Sequence, residues 1–120
     1  MGIKIKKKIG FIISRKNYLK FLGYFIYENL DKNDVYIFCD QRASKDNFKW
    51  RDLPDLELFK RFQNVKIISF ANNEALKTAI VSNDIQEIFS LQPKNYFEFN
   101  EKMEFNNYWS YSDWNNRNWN

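Results

Sequence analysis

The chain has no histidine. Histidine triads, histidine metal sites and histidine general bases are therefore excluded. It has a single cysteine, Cys39, so no intramolecular disulfide can form. Without histidine beside it, that thiol leaves only carboxylates for zinc. Cys39 ends an apolar run, where a buried and inert thiol is the ordinary outcome. Glycine is scarce, with 3 residues, and no G-x-x-x-x-G-K-[ST] phosphate loop occurs. No apolar stretch approaches the ~20 residues of a membrane-spanning helix. Lys4–Lys8 imitates the basic start of a signal peptide, but the apolar run Ile9–Ile13 is broken at once by Ser14, Arg15 and Lys16. A cytoplasmic protein, at most peripheral at a membrane, is the expectation.

What is present is a repeated alternation of apolar runs and amphipathic stretches in 120 residues, enough for one domain with its own core. Ile9–Ile13, Val35–Cys39, Val65–Phe70 and Ile85–Leu91 are too continuous for half-exposed strands. They predict a parallel sheet covered on both faces. Tyr18, Leu22, Phe25, Ile26 and Asn29 share one helical face after the first run, and because most of Phe21–Tyr27 is aromatic or aliphatic this helix is expected to be broadly apolar and well buried. Gly23 in that helix is expected to allow close packing on the sheet. Pro54 suits the first position of a second helix. Leu76, Ala79, Ile80 and Asn83 mark a third, capped by Asn72 or Asn73. Right-handed crossovers then give a Rossmann-like α/β fold with strand order 3-2-1-4. Residues 1–92 form this core. Residues 93–120 are an aromatic, Asn-rich extension in which Asn106–Ser112 can add a fifth, edge strand.

That order places a topological switch beside the first strand, where ligands of open α/β sheets bind. The crevice would be lined by Ser14, Arg15, Lys16, Asn17 and Tyr18, and by Ser90 and Gln92. Asp40, Gln41, Arg42, Asn72 and Asn73 lie nearby. The turn Ser14–Tyr18 has no glycine, so an NAD or FAD pyrophosphate lacks its usual close approach. The third strand ends Ser69-Phe70-Ala71-Asn72, without the aspartate of a phosphoacceptor domain. No cofactor and no metal are expected. Asp40 stands where such folds hold a ribose hydroxyl, and a cap or turn role fits it as well. It is also the residue best placed for a general base. Ser14–Asn17, ahead of a helix N-terminus, combine backbone amides with two cations into a candidate anion site.

Charge is uneven. Met1–Tyr27 carries seven Lys and Arg residues and no carboxylate, against a net charge of +4 overall. Such a segment favours an anionic partner. One reading is therefore a non-enzymatic α/β module docking nucleic acid or an anionic membrane through its basic N-terminus. Nucleic acid is the less expected of the two.

The other reading comes from a resemblance. Lys8–Arg15, the apolar helix after it, and Val35–Asp40 resemble the opening of the N-terminal domain of GT-B-type glycosyltransferases. Val65–Phe70, Asn73–Leu76 and Glu87–Leu91 continue in that style. Tyr108–Trp114 is similar to the segment after the fourth strand in some surface-polysaccharide members. The resemblance implies an acceptor-side Rossmann-like domain facing a second, donor-binding domain across a cleft. It implies a nucleotide-sugar or lipid-linked sugar substrate. It also implies a membrane-facing patch, for which Lys4–Lys8, Arg15 and Lys16 are available. The signature of the donor-binding half is not in this sequence. The chain is thus expected to be a partial or truncated glycosyltransferase, or one component of a split enzyme, inactive alone. The glycine-rich loop that some members carry after the first strand is missing too.

Overall fold

The computed structural model describes residues 6–15, 18–43, 58–92, 94–99 and 107–110. Five strands form one sheet: β1 (Lys8–Ile13), β2 (Asp34–Asp40), β3 (Val65–Phe70), β4 (Glu87–Ser90) and β5 (Asn107–Ser110). All adjacent pairs are parallel, in the order β3-β2-β1-β4-β5. β1 is therefore central, with β2 and β4 on its two sides. This is the 3-2-1-4 Rossmann-like arrangement, extended by β5 at the β4 edge. β2 is one residue longer at each end than its apolar run. β4 is shorter than the run Ile85–Leu91.

Among the described residues, two α-helices of ten residues or more cover the sheet. α1 (Tyr18–Asn29) follows β1, and α2 (Asn73–Ser82) follows β3. Residues 58–60 are also helical. Residue 54, expected to start that helix, lies outside the described residues. Asn72 caps α2, its side-chain oxygen accepting from the Ala75 amide at 2.8 Å. Asn83 closes the helix by donating its side-chain amide to the Ala79 carbonyl at 2.7 Å.

Strand alternation divides the core in two. Ile9, Phe11 and Ile13 of β1 pack with Leu19, Leu22 and Ile26 of α1. Ile12 packs on the opposite face with Phe38, Phe70, Leu76, Ile88 and Phe97. The change in composition at Pro93 is therefore not the end of the core. Phe97, in a 3₁₀ turn at Lys94–Phe97, is wholly buried.

Two features depart from the sequence expectation. β3 is not covered on both faces: Lys66 and Ser69 are exposed, because β3 is the outer strand among those described. α1 is only half apolar inside. Tyr24 and Tyr27 are 67% and 56% exposed.

Glycine positions differ in the same way. A Cβ on Gly23 would meet nothing within 4 Å, so this glycine does not serve close packing on the sheet. A Cβ on Gly10 would stand 2.8 Å from the Phe38 ring and 3.0 Å from Ile88 Cδ1. Gly10 is the close approach instead. Gly10→Ala should cost about 1–3 kcal/mol by overpacking. Gly23→Ala should gain ~0.5–1 kcal/mol, since a helix interior favours alanine. Urea unfolding of both variants checks this. Equal effects of one sign would contradict the packing described.

Side-chain amides seal the amino edge of the sheet. Asn64 donates to the carbonyls of Leu30 and Asn33 at 2.6 and 2.9 Å. Asn33 and Gln86 accept from the Lys7 and Lys8 amides at 3.0 and 2.9 Å. The backbone groups that precede the strands are thereby satisfied.

Candidate functional site at the carboxyl edge of the sheet

The opposite edge is built differently. Among the described residues, the buried polar side chains are Ser14, Asp40 and Ser90, at 5%, 2% and 0% exposure. All three stand at the carboxyl ends of neighbouring strands, β1, β2 and β4. Polar groups are buried at a cost unless something satisfies them.

Register fixes their arrangement. Ile12 pairs with Phe38 on one side and with Ser90 on the other. Ser14 and Asp40 each lie one step past the last pair, Ile13 and Cys39. Asp40 pairs with Phe70 of β3. Alternation then puts Asp40 and Phe70 in one row, on the face that carries α2, while Ser14 and Gln92 lie in the bends after β1 and β4. Ser90 lies in the row beneath. Its hydroxyl accepts from the Gln92 amide at 3.0 Å. The Ser14 hydroxyl, though buried, has no hydrogen-bond partner among the described residues.

Asp40 is held in a clasp. Arg42, in the 3₁₀ turn Gln41–Ala43, donates from Nε to Oδ1 at 3.0 Å and from Nη2 to Oδ2 at 3.1 Å. The Arg42 backbone amide also donates to Oδ1 at 3.0 Å. Nη2 donates further to Asn73 Oδ1 at 2.9 Å, tying the end of β2 to the start of α2. The guanidinium carbon sits 6.0 Å from the centre of the Phe70 ring. The hydrogen bond to Asp40 raises the Arg42 pKa above its usual value, opposed by partial burial and helped by the charges of Asp40, Tyr96 and Glu98. Both oxygens of Asp40 are therefore engaged. Proton abstraction by Asp40 would require Arg42 to withdraw.

The remaining sequence candidates fall into three groups. Asn72 spends its side-chain oxygen on capping α2, and Gln41 is exposed beside the clasp. Arg15 is exposed at the bend after β1, and Tyr18 is the first residue of α1. Lys16 and Asn17 lie outside the described residues, and with them most of the candidate anion loop. Glu98 was not among the candidates, although its negative charge helps to raise the Arg42 pKa. Glu98 has a left-handed backbone, with φ 59°. A non-glycine residue held there carries on the order of 1 kcal/mol of strain. Nothing in the aromatic, Asn-rich text around Glu98 signals that turn.

Neither family models, nor curated proteins, nor solved structures match this chain. The function has to be argued from the edge itself. Cys39 contributes no nucleophile, because burial pushes its thiol pKa up to about 12. Among the described residues no group of three Cys, Asp or Glu side chains could hold a metal ion, and no helix is long and apolar enough to cross a membrane. The basic segment is divided. Lys6 and Lys7 are exposed at the amino end of β1, and Lys7 Nζ lies 3.6 Å from Glu87. Arg15 lies past the carboxyl end, roughly 25 Å away by strand rise.

Proposed function

We propose that this chain is the acceptor-side Rossmann-like domain of a GT-B-type glycosyltransferase of surface-polysaccharide synthesis, with its saccharide acceptor seated at the carboxyl edge of β1, β2 and β4. The observation that carries the reading is the convergence of the buried polar side chains, Ser14, Asp40 and Ser90, on that edge. In open α/β sheets this is where ligands bind. Among the described residues the amino edge has no such feature, since amides close it. In this reading Asp40 presents Arg42, and the groups facing the ligand are Arg42, Ser14 and Asn73. A second Rossmann-like domain brings the nucleotide sugar, and transfer needs both. The basic residues flanking β1 would hold the domain near an anionic membrane carrying a lipid-linked acceptor.

The alternative, an anion-docking module, has less support, because β1 separates its cations into two groups.

Amide-shift titration with a short-chain lipid-linked sugar tests the proposal. Saturable shifts are expected at residues 14–15, 40–42, 72–73 and 90–92. No movement there at millimolar ligand would overturn it. So would shifts confined to Lys6–Lys8 and lost steeply with added salt, which instead report polyelectrolyte binding.

A further inference from the structure

Among the described residues, four of the six exposed large apolar side chains lie on the face of the sheet that α1 covers. Tyr24 and Tyr27 are neighbours one turn apart on α1. Leu58 and Phe62 flank Phe59, which is buried in the core beneath α1 and meets the Tyr27 ring edge-on, with centroids 5.7 Å apart. The Arg61 and Phe62 amides donate to the Leu58 and Phe59 carbonyls and close the turn that presents them. α1 leads into the amino end of β2, and this turn leads into the amino end of β3. The patch therefore lies toward the amino end of the sheet, away from the site proposed above, and does not depend on that reading.

Its charges are divided. Each exposed tyrosine of α1 is followed one turn later by an exposed carboxylate, Glu28 after Tyr24 and Asp31 after Tyr27. α1 has no basic residue in its last turn, where the helix dipole favours one. Lys32 is exposed just beyond, so this half of the patch is net negative. In the turn of residues 58–62 the charged residues are Lys60 and Arg61, both exposed. Among the described residues no ion pair engages Asp31 or Arg61. One half of the patch is thus aromatic and acidic, and the other apolar and basic.

This division selects what covers it. A nucleic acid or an anionic membrane would meet Glu28 and Asp31 inside the patch and be repelled. A twofold axis instead lays the acidic half of one copy on the basic half of the other, twice, with no second kind of chain. Exposed tyrosine rings beside Asp31 also accept a guanidinium on their faces. At about 150–250 Å² for a whole aromatic side chain, the exposed fractions amount to on the order of 400 Å² of apolar surface, the size at which a patch on a monomer is often functional. A stable interface buries ~800 Å² per partner. The charged rim must contribute the rest, and the association is weak.

We infer that two copies of this chain associate through Tyr24, Tyr27, Leu58 and Phe62, with Arg61 pairing with Asp31 of the partner subunit across a twofold axis.

Sedimentation velocity of the full chain from about 10 µM to 1 mM tests this, the range of a weak interface. The unaltered chain should show a concentration-dependent monomer–dimer equilibrium. Arg61→Glu and Asp31→Lys should each weaken it about tenfold or more, because each sets two like-charge contacts in a symmetric dimer. Both residues are exposed, so the urea midpoints of these variants should hold. An equimolar mixture of the two variants should associate again, since the mixed dimer restores opposite charges at both contacts. A chain that stays monomeric to about 1 mM would overturn the inference. So would association that neither charge change alters, or variants whose mixture fails to recover, because both outcomes place the contact elsewhere. Binding to phosphatidylglycerol vesicles that Arg61→Glu abolishes, without self-association, would assign the face to a membrane and overturn it too. None of these outcomes touches the acceptor site, which its own titration reads.

Discussion

Phe97→Ala is expected to lower the unfolding free energy by about 3–5 kcal/mol, the usual cost of emptying a buried aromatic position. The residue belongs to a short 3₁₀ turn in a segment of mixed aromatic and polar composition, where sequence alone suggests a peripheral role. Its ring is wholly buried and packs in the cluster of Ile12, Phe38, Phe70, Leu76 and Ile88. It also meets Tyr96 edge-on, with centroids 4.9 Å apart, and Phe99 at 5.6 Å. Removing it opens a cavity between α2 and the sheet that rigid strand side chains cannot fill. Tyr96→Ala is the control. Its side chain is half exposed, so a change of at most ~1 kcal/mol is expected. Urea unfolding of the two variants decides the matter. A loss below ~1 kcal/mol for Phe97→Ala would mean that the chain after β4 rests on the core without belonging to it. The functional consequence follows from connectivity. Tyr96 and Glu98, its two chain neighbours, are placed by the anchoring of Phe97 between them.

Much of the frame is legible in the residues. β3 begins and ends where its apolar run does, and β1 starts one residue before its own, because buried strands read as near-continuous apolar runs. The order 3-2-1-4 follows from crossover handedness and from the number of runs. Asn72 announces its cap by standing just before a periodic stretch. The candidate site was legible in outline, since Ser14, Asp40, Arg42, Asn73, Ser90 and Gln92 follow once the strand ends are known. Its chemistry was not. The clasp joins Arg42 to Asn73, 31 positions apart, and only the register of β2 against β3 brings them together. That Asp40 spends both oxygens on Arg42 depends on a turn two residues long. Apolarity also misled at Tyr24 and Tyr27, whose exposure reflects the helix's outer face and not their composition. Gly23 shows the limit of a propensity argument. A glycine in a helix suggests a tight contact, but only coordinates distinguish it from Gly10, where the contact exists.

Breaking the clasp gives the second large effect. Arg42→Met keeps most of the side-chain length over Phe70 and removes every guanidinium donor. Asp40, with its side chain 3% exposed, then loses the guanidinium from both of its oxygens. Such losses reach ~3–5 kcal/mol in fully buried pairs. Arg42 itself is 41% exposed, so water can enter where the guanidinium stood, and a cost on the order of 3 kcal/mol is expected. Asp40→Asn separates charge from geometry. Its side-chain oxygen can still accept from the Arg42 backbone amide, so the turn survives while the buried charge disappears. The double variant Asp40→Asn, Arg42→Met should therefore be more stable than Arg42→Met alone, with a coupling of about 1–3 kcal/mol. Additive losses would show that the two side chains act independently, and that Arg42 is held by something other than Asp40.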